Sequence, residues 1–309
     1  METAIFQDDF GYDLHYQIYH PDETPIGLIQ ILHGLGQHSG HYQELCTYMQ
    51  NAGFLVIIHD QHGHGKSAIY EDRTHVSDHD GHKILVEGAK GVRSIVKSKY
   101  PQLPMFAIGH SLGSIIVRAA ITTEKDLYDA SVFIGSPKVS RVKLKAIKTL
   151  AKNIKRFKAP NHISQRFTKL VQDAPYRSMR KNGLVNERYE WVTSDVEKQR
   201  AYKNDPLAGN MPTIAMQLDI IHLLEMAQNK NASKQHASSQ PISIICGDED
   251  AMCDYGEGIK KLHKFYTSVG YSNVSFKVYA NARHELLNET IRDNVMKDLL
   301  SHIKTALIP

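Results

Sequence analysis

Cysteine is scarce in this sequence: Cys46, Cys246 and Cys253 are the only three in 309 residues. Their number is odd and no two have CxxC spacing, so a disulfide framework is not expected, which favours a reducing compartment. Nowhere do 18 apolar residues run together, which excludes a membrane-spanning helix on length. The stretch METAIFQDDFGYDLHYQIYH carries early acids and no apolar run, unlike a secretory signal. The formal net charge is only +4, too small by itself to imply a nucleic-acid partner. No internal repeat or low-complexity tract is present. These absences leave the cytoplasm as the expected location.

What remains is ordinary globular composition, with 41% hydrophobic and 23% charged residues. The length suits one large domain with an insertion, or two small domains. Residues 4–19 alternate loosely around Gly11-Tyr12, which predicts an antiparallel hairpin. Short apolar runs follow at 27–32, 54–58, 105–108, 131–134, 242–246 and 274–279. Most of them end in Gly, His or Asp. Runs of this kind suit strands buried on both faces of a parallel sheet. Helical patterns lie between them at 42–52, 83–100, 114–123 and 256–270. Such alternation predicts a mostly parallel, doubly wound α/β sheet. Ligands bind beyond the carboxyl ends of its strands, where these Gly, His and Asp residues fall.

The alternation stops between about Lys138 and Asn204 and resumes at Pro241. The expected organisation is a core in two parts, 1–137 and 205–309, interrupted by a helical insertion at 138–204. Eleven Lys or Arg residues and no Asp or Glu lie between Lys138 and Lys169. Ile147, Leu150, Ala151, Ile154 and Phe157 fall among them at helical spacing, the pattern of a basic amphipathic helix. Such a helix either touches an anionic membrane surface or keeps its apolar side on the protein and its lysines in water.

Gly109-His110-Ser111-Leu112-Gly113 fits GxSxG directly after a predicted strand and before a helix-forming run. In the α/β-hydrolase fold this is the sharp turn that exposes a nucleophilic serine above the sheet. A serine hydroxyl needs a base within hydrogen-bonding reach, and in this fold the order is Ser, then Asp or Glu, then His. His284 lies between the last predicted strand and the C-terminal helix. The acid comes from Gly247-Asp248-Glu249-Asp250 or from Asp254. Asp250, three residues past Gly247, has the loop reach; Asp254 is the second choice, and Asp248 shapes the turn. The oxyanion of the tetrahedral intermediate needs two backbone N–H donors. Leu112, after the nucleophile, supplies one. Leu35, in the His33-Gly34-Leu35-Gly36 loop, supplies the other.

Together these segments resemble the monoglyceride lipase and lysophospholipase group of α/β-hydrolases. His33-Gly34-Leu35-Gly36-Gln37-His38-Ser39-Gly40-His41-Tyr42 is similar to that family's HGxGEHSxRY segment. Asp60-Gln61-His62-Gly63-His64-Gly65-Lys66-Ser67 is similar to its DxxGHGxS segment. Val76-Ser77-Asp78, Asp205-Pro206-Leu207 and Asp250-Ala251-Met252-Cys253-Asp254 resemble further segments, the last being the acid loop. Gln37 and His41 depart from the family's usual Glu and Arg. The resemblance places the catalytic acid at Asp250. It also implies a hydrolase for esters of one fatty acyl chain, monoacylglycerol first, with a helical lid over an apolar channel and no metal or organic cofactor. Lysophospholipids and short soluble esters are the rival substrates. A basic lid would bring peripheral contact with an anionic membrane. A hydrolase-fold binding protein without catalysis is the alternative of a different class, and such proteins usually lose a triad member.

Other signals have plainer readings. His59, His62 and His64 fall in the glycine-rich loop. His75, Asp78, His79, Asp80 and His82 surround a helix start with Ser77 or Asp78 as cap. Neither set is expected to hold a metal. Cys253 reads as a small packing residue. Tyr189 and Trp191 line the acyl route or pack the lid.

Overall fold

The computed structural model describes residues 1–307. Eight strands form one sheet: β1 (Glu2–Gln7), β2 (Asp13–Tyr19), β3 (Gly27–Leu32), β4 (Phe54–His59), β5 (Met105–His110), β6 (Ala130–Ile134), β7 (Ile242–Gly247) and β8 (Val274–Tyr279). Their spatial order is β1-β2-β4-β3-β5-β6-β7-β8. The first hairpin runs antiparallel, pairing Glu2 with Ile18 and Gln7 with Asp13. β2 meets β4 antiparallel, and the remaining pairs are parallel. This is the mostly parallel, helix-flanked sheet expected from the alternation of strands and helices, and the α/β-hydrolase architecture that the GxSxG context and the resemblance imply.

β3, β4 and β5 are buried along their whole length, which explains their unbroken apolar runs. Successive side chains still point to opposite faces. Leu28 and Leu32 join one core layer with α2 (Gly81–Lys97), α3 (Leu112–Ala120), α8 (Ile214–Ala227) and α10 (Glu257–Ser268). Ile29 and Ile31 join the other with α1 (Gln43–Asn51) and α11 (Arg292–Thr305). Gln30, on the first face, is buried but satisfied: its amide donates to Ala89 O at 2.8 Å and accepts from Tyr128 OH at 2.7 Å.

β8 differs from the expectation of a doubly buried strand. Its middle residues, Ser275 to Lys277, are exposed, because β8 is the sheet's last strand. An edge strand is protected by charge rather than by cover, and Lys277 pairs with Asp298 of α11. The start of α2 also differs. The cap is Asp80, whose backbone adopts left-handed φ 54°, and it makes no capping side-chain bond. Ser77 Oγ instead accepts the His79 N–H within the preceding turn.

Between β6 and α8 come α4 (Arg141–Phe157), α5 (Gln165–Val171), α6 (Ala174–Lys181) and α7 (Val196–Asn204). Ser140 caps α4 by accepting the Lys143 N–H. Leu144, Ile147, Ala151 and Ile154 pack against the core, while Val142 and Phe157 stay about four-fifths exposed at 81% and 78%. α8, buried on nearly every side, follows at once. A two-residue parallel pair, Arg73–Thr74 with Met211–Pro212, ties the exit of this helical segment to the loop before α2. A short helix, α9 (Lys230–Gln235), leads to β7.

Candidate active site

Ser111 stands between β5 and α3 with φ 49° and ψ −113°. A non-glycine residue held there stores strain of roughly 1–3 kcal/mol. The surroundings enforce it: the Ser111 N–H donates to Ile134 O at 2.8 Å, and the flanking glycines admit no side chain. A Cβ on Gly113 would lie 2.1 Å from Leu32 O, and one on Gly109 would lie 2.7 Å from Gly113 O. The sharp turn is therefore a packing requirement as well as a conformational one.

His284 and Asp250 reach this serine from the loops after β8 and β7. Ser111 Oγ lies 3.0 Å from His284 Nε2. His284 Nδ1 lies 2.9 Å from Asp250 Oδ2. With the carboxylate as acceptor, Nδ1 carries the proton and Nε2 is free to accept from the hydroxyl. Asp250 is fully buried, and its other oxygen accepts the Met252 and Cys253 N–H groups. Burial alone would raise its pKa, but His284 and these donors outweigh it and hold the carboxyl below its usual value. Burial likewise pushes His284 down, yet the charge and hydrogen bond of Asp250, helped by Glu285, leave the imidazole above 6.5.

The other acids of this loop lie elsewhere. Asp254 is exposed and pairs with Lys261 at 2.8 Å. Asp248 accepts the Ala282 N–H, and Glu249 pairs with Arg283 at 3.2 Å. Leu112 N is the first amide of α3. Neither it nor Leu35 N has a protein acceptor among the described residues. The Leu35 loop is held from below: Gln37 Oε1 accepts from Gly34 N at 2.8 Å and from Tyr42 OH at 2.7 Å. His110 Nδ1 lies 2.9 Å from the same tyrosine oxygen. Burial drives the His110 pKa down to about 3, so it stays neutral beside His284.

Several contacts were not foreseen. Trp191 stacks on His284, with ring centroids 5.0 Å apart and planes at 28°. Its segment is stitched to the histidine loop. Glu285 N donates to Val192 O at 2.7 Å, and Arg283 donates to Glu190 O, Thr193 O and Leu184 O. A cavity of about 130 Å³ lies next to it, lined by Leu35, Tyr189, Trp191, Val192, Tyr202 and Met211 among others. Beneath the nucleophile, the fully buried Arg118 donates to Ser136 Oγ and Pro137 O, and Ser114 Oγ donates to Ser111 O at 2.6 Å. Only an arginine placed one helical turn past a GxSxG motif hinted at this in the sequence.

The histidine-rich loop does not converge on a point. His62 pairs with Asp8 at 2.7 Å, His64 bonds the His62 carbonyl, and burial keeps His59 and His64 at pKa values of about 3 and 4. His75 bonds Thr213 and faces Asp78. Cys253 is buried. No helix among the described residues is long and apolar enough to cross a membrane.

A GxSxG turn at the carboxyl end of a parallel sheet, with an acid and a histidine on the loops after the last two strands, defines a serine hydrolase of the α/β-hydrolase fold. Residues 23–291 match the Hydrolase_4 family, described as "Serine aminopeptidase, S33", and the chain belongs to that family. It is 26% identical to a monoglyceride lipase homolog of Monkeypox virus, over 98% of this chain and 96% of that one. It is 27% identical to a monoacylglycerol lipase of Mycolicibacterium smegmatis, over 96% and 95%. Among solved structures, a thermostable carboxyl esterase from Bacillus coagulans in complex with glycerol superposes with a TM-score of 0.89 at 26% identity, covering 99% of both chains.

Proposed function

We propose that this protein hydrolyses carboxylic esters of a single acyl chain, monoacylglycerol first, through an acyl-enzyme on Ser111. One observation carries the reading: the Ser111–His284–Asp250 relay with both links at hydrogen-bonding length. Ser111 attacks the ester carbonyl as His284 Nε2 takes its proton, and Asp250 orients and stabilises the imidazolium. The Leu35 and Leu112 amides hold the oxyanion, each worth roughly 3–4 kcal/mol. His284 then protonates the departing alcohol, and water repeats the sequence on the acyl-enzyme. The names of the full-length relatives favour a glycerol ester over a peptide, and the apolar wall of Trp191, Val192 and Met211 suits an acyl chain.

A short soluble ester is the second reading, and the cavity's size favours it. About 130 Å³ is well below the roughly 300–1,000 Å³ of ordinary ligand sites. A long chain enters only if the helices of residues 138–204 act as a lid and move. Initial rates on a long-chain monoacylglycerol, the matching lysophospholipid and a short p-nitrophenyl ester separate the readings. Preference for the monoacylglycerol is expected. Preference for the short ester keeps the relay and discards the lipid substrate.

The lid reading extends to the membrane. Leu144, Ile147, Ala151 and Ile154 of α4 pack against the core, but Val142, Leu150 and Phe157 are exposed among lysines and arginines. An anionic bilayer meets both features. The protein is expected to sediment with vesicles containing an anionic phospholipid at low salt and to be released as salt rises. Absence of binding at low salt removes the membrane contact and leaves the esterase intact.

A further inference from the structure

The lower part of the α2–α8 seam carries polar residues that the hydrolytic site does not use. His82 opens α2, while Asp219 and His222 stand three residues apart on α8, which puts them on one face. Each offers one ligand atom, and the three atoms lie within 4.8 Å of one another. The His82 and His222 ring centroids are 4.7 Å apart. Asp219 Oδ1 accepts the His82 N–H at 3.0 Å and lies 3.4 Å from His82 Nδ1.

Asp219 Oδ2 is the informative atom. It is buried and has no hydrogen-bond partner among the described residues, and the residue as a whole is only 4% exposed. The carboxylate is seated against a glycine, since a Cβ on Gly81 would lie 2.4 Å from Oδ2. A buried carboxylate oxygen without a donor costs free energy that a protein does not ordinarily leave uncompensated. Asp219 and His222 also line a cavity of about 630 Å³, whose lining includes Lys152, Lys155 and Arg156 of α4.

We propose that His82, Asp219 and His222 form a site for a divalent transition-metal ion of the zinc class, bridging α2 and α8. Two imidazoles and one carboxylate are the nitrogen and oxygen donors such an ion prefers. Ligand-to-metal distances of about 2.0–2.2 Å are reached by small side-chain rotations from the present spacing. The cavity supplies the fourth position, for water or a small anion drawn by the α4 cations. The ion's role is to pin α2 to α8, and α8 packs against α3, the helix that follows Ser111; no chemistry at Ser111 passes through it. A second group, His38, His41 and Asp205, is a poorer candidate. There Asp205 Oδ2 is already satisfied by both imidazoles, at 2.8 and 3.0 Å.

The test is calorimetric titration of chelator-treated full-length protein with zinc chloride, paired with thermal melts. One equivalent is expected to bind and to raise Tm saturably. His222→Ala should weaken binding by more than about 100-fold, beyond the cost of losing an outer-shell partner. His41→Ala should leave it unchanged. His222→Gln keeps the side chain's bulk and should behave as His222→Ala, with circular dichroism and fluorophosphonate labelling of Ser111 reporting an intact fold. No zinc binding by the wild-type protein overturns the proposal. So does binding that survives both His222 substitutions, or binding that is lost only in His41→Ala.

Discussion

Ser111→Ala is expected to lower kcat by about 10⁶-fold while the fold and substrate binding persist, the scale seen when a triad nucleophile is removed elsewhere. The size follows from what the substitution leaves. The alanine methyl fits the space of the serine, and the turn's constraints come from the Ser111 amide, Gly109 and Gly113 rather than from the hydroxyl. The Leu35 and Leu112 amides still face the carbonyl, so residual stabilisation of an oxyanion remains, but no acyl-enzyme can form. Initial rates with a long-chain monoacylglycerol and labelling by a fluorophosphonate probe measure the two halves of this statement. Turnover within tenfold of wild type, or undiminished labelling, would mean that another residue is the nucleophile.

Asp250→Asn is expected to lower kcat by about 10⁴-fold, or about 5.5 kcal/mol of transition-state stabilisation, and to move the acid limb of the pH profile. The direction follows from the balance at His284. The imidazole must be neutral to take the serine proton, so activity falls as pH drops through its pKa. In the wild-type protein burial pushes that pKa down, but the Asp250 charge and hydrogen bond, with Glu285, hold it above 6.5. With a neutral amide at position 250 the opposing charge is gone and burial prevails. The limb therefore shifts to lower pH although the rate is far smaller. Measuring kcat/KM between about pH 5 and 9 for both proteins checks it. A limb that stays put would locate the titrating group elsewhere, with Glu285, raised by burial to about 6, the first to examine.

The grouping of Ser111, His284 and Asp250 was legible because its signals are local or ordered along the chain. The turn at Ser111 needs glycines at 109 and 113 whatever surrounds it, and His284 and Asp250 follow strands whose apolar runs are plain. The choice of Asp250 over Asp254 rested on reach and on resemblance, and only Asp250 comes to the imidazole. α8 escaped notice for a physical reason. It is buried on nearly all sides, so its apolar residues show no single-face period, and Asp219 and His222 could not be grouped with His82. The edge position of β8 depends on the order of strands across the sheet, which a single strand does not encode. The stacking of Trp191 on His284 joins residues 93 positions apart through a helical segment of weak pattern, and no local rule reaches that far.

On the proposed lid reading, the bonds from Arg283 and Glu285 to the Leu184–Thr193 segment would make roof and base one mechanical part. Whatever lifts Trp191 pulls on the carbonyls that anchor both neighbours of His284, and the imidazole loses its footing. An occupant that settles the roof thereby seats the base, and by reciprocity a seated base favours the occupant. An open protein would then be a poor catalyst by construction, its serine idle until the roof is down.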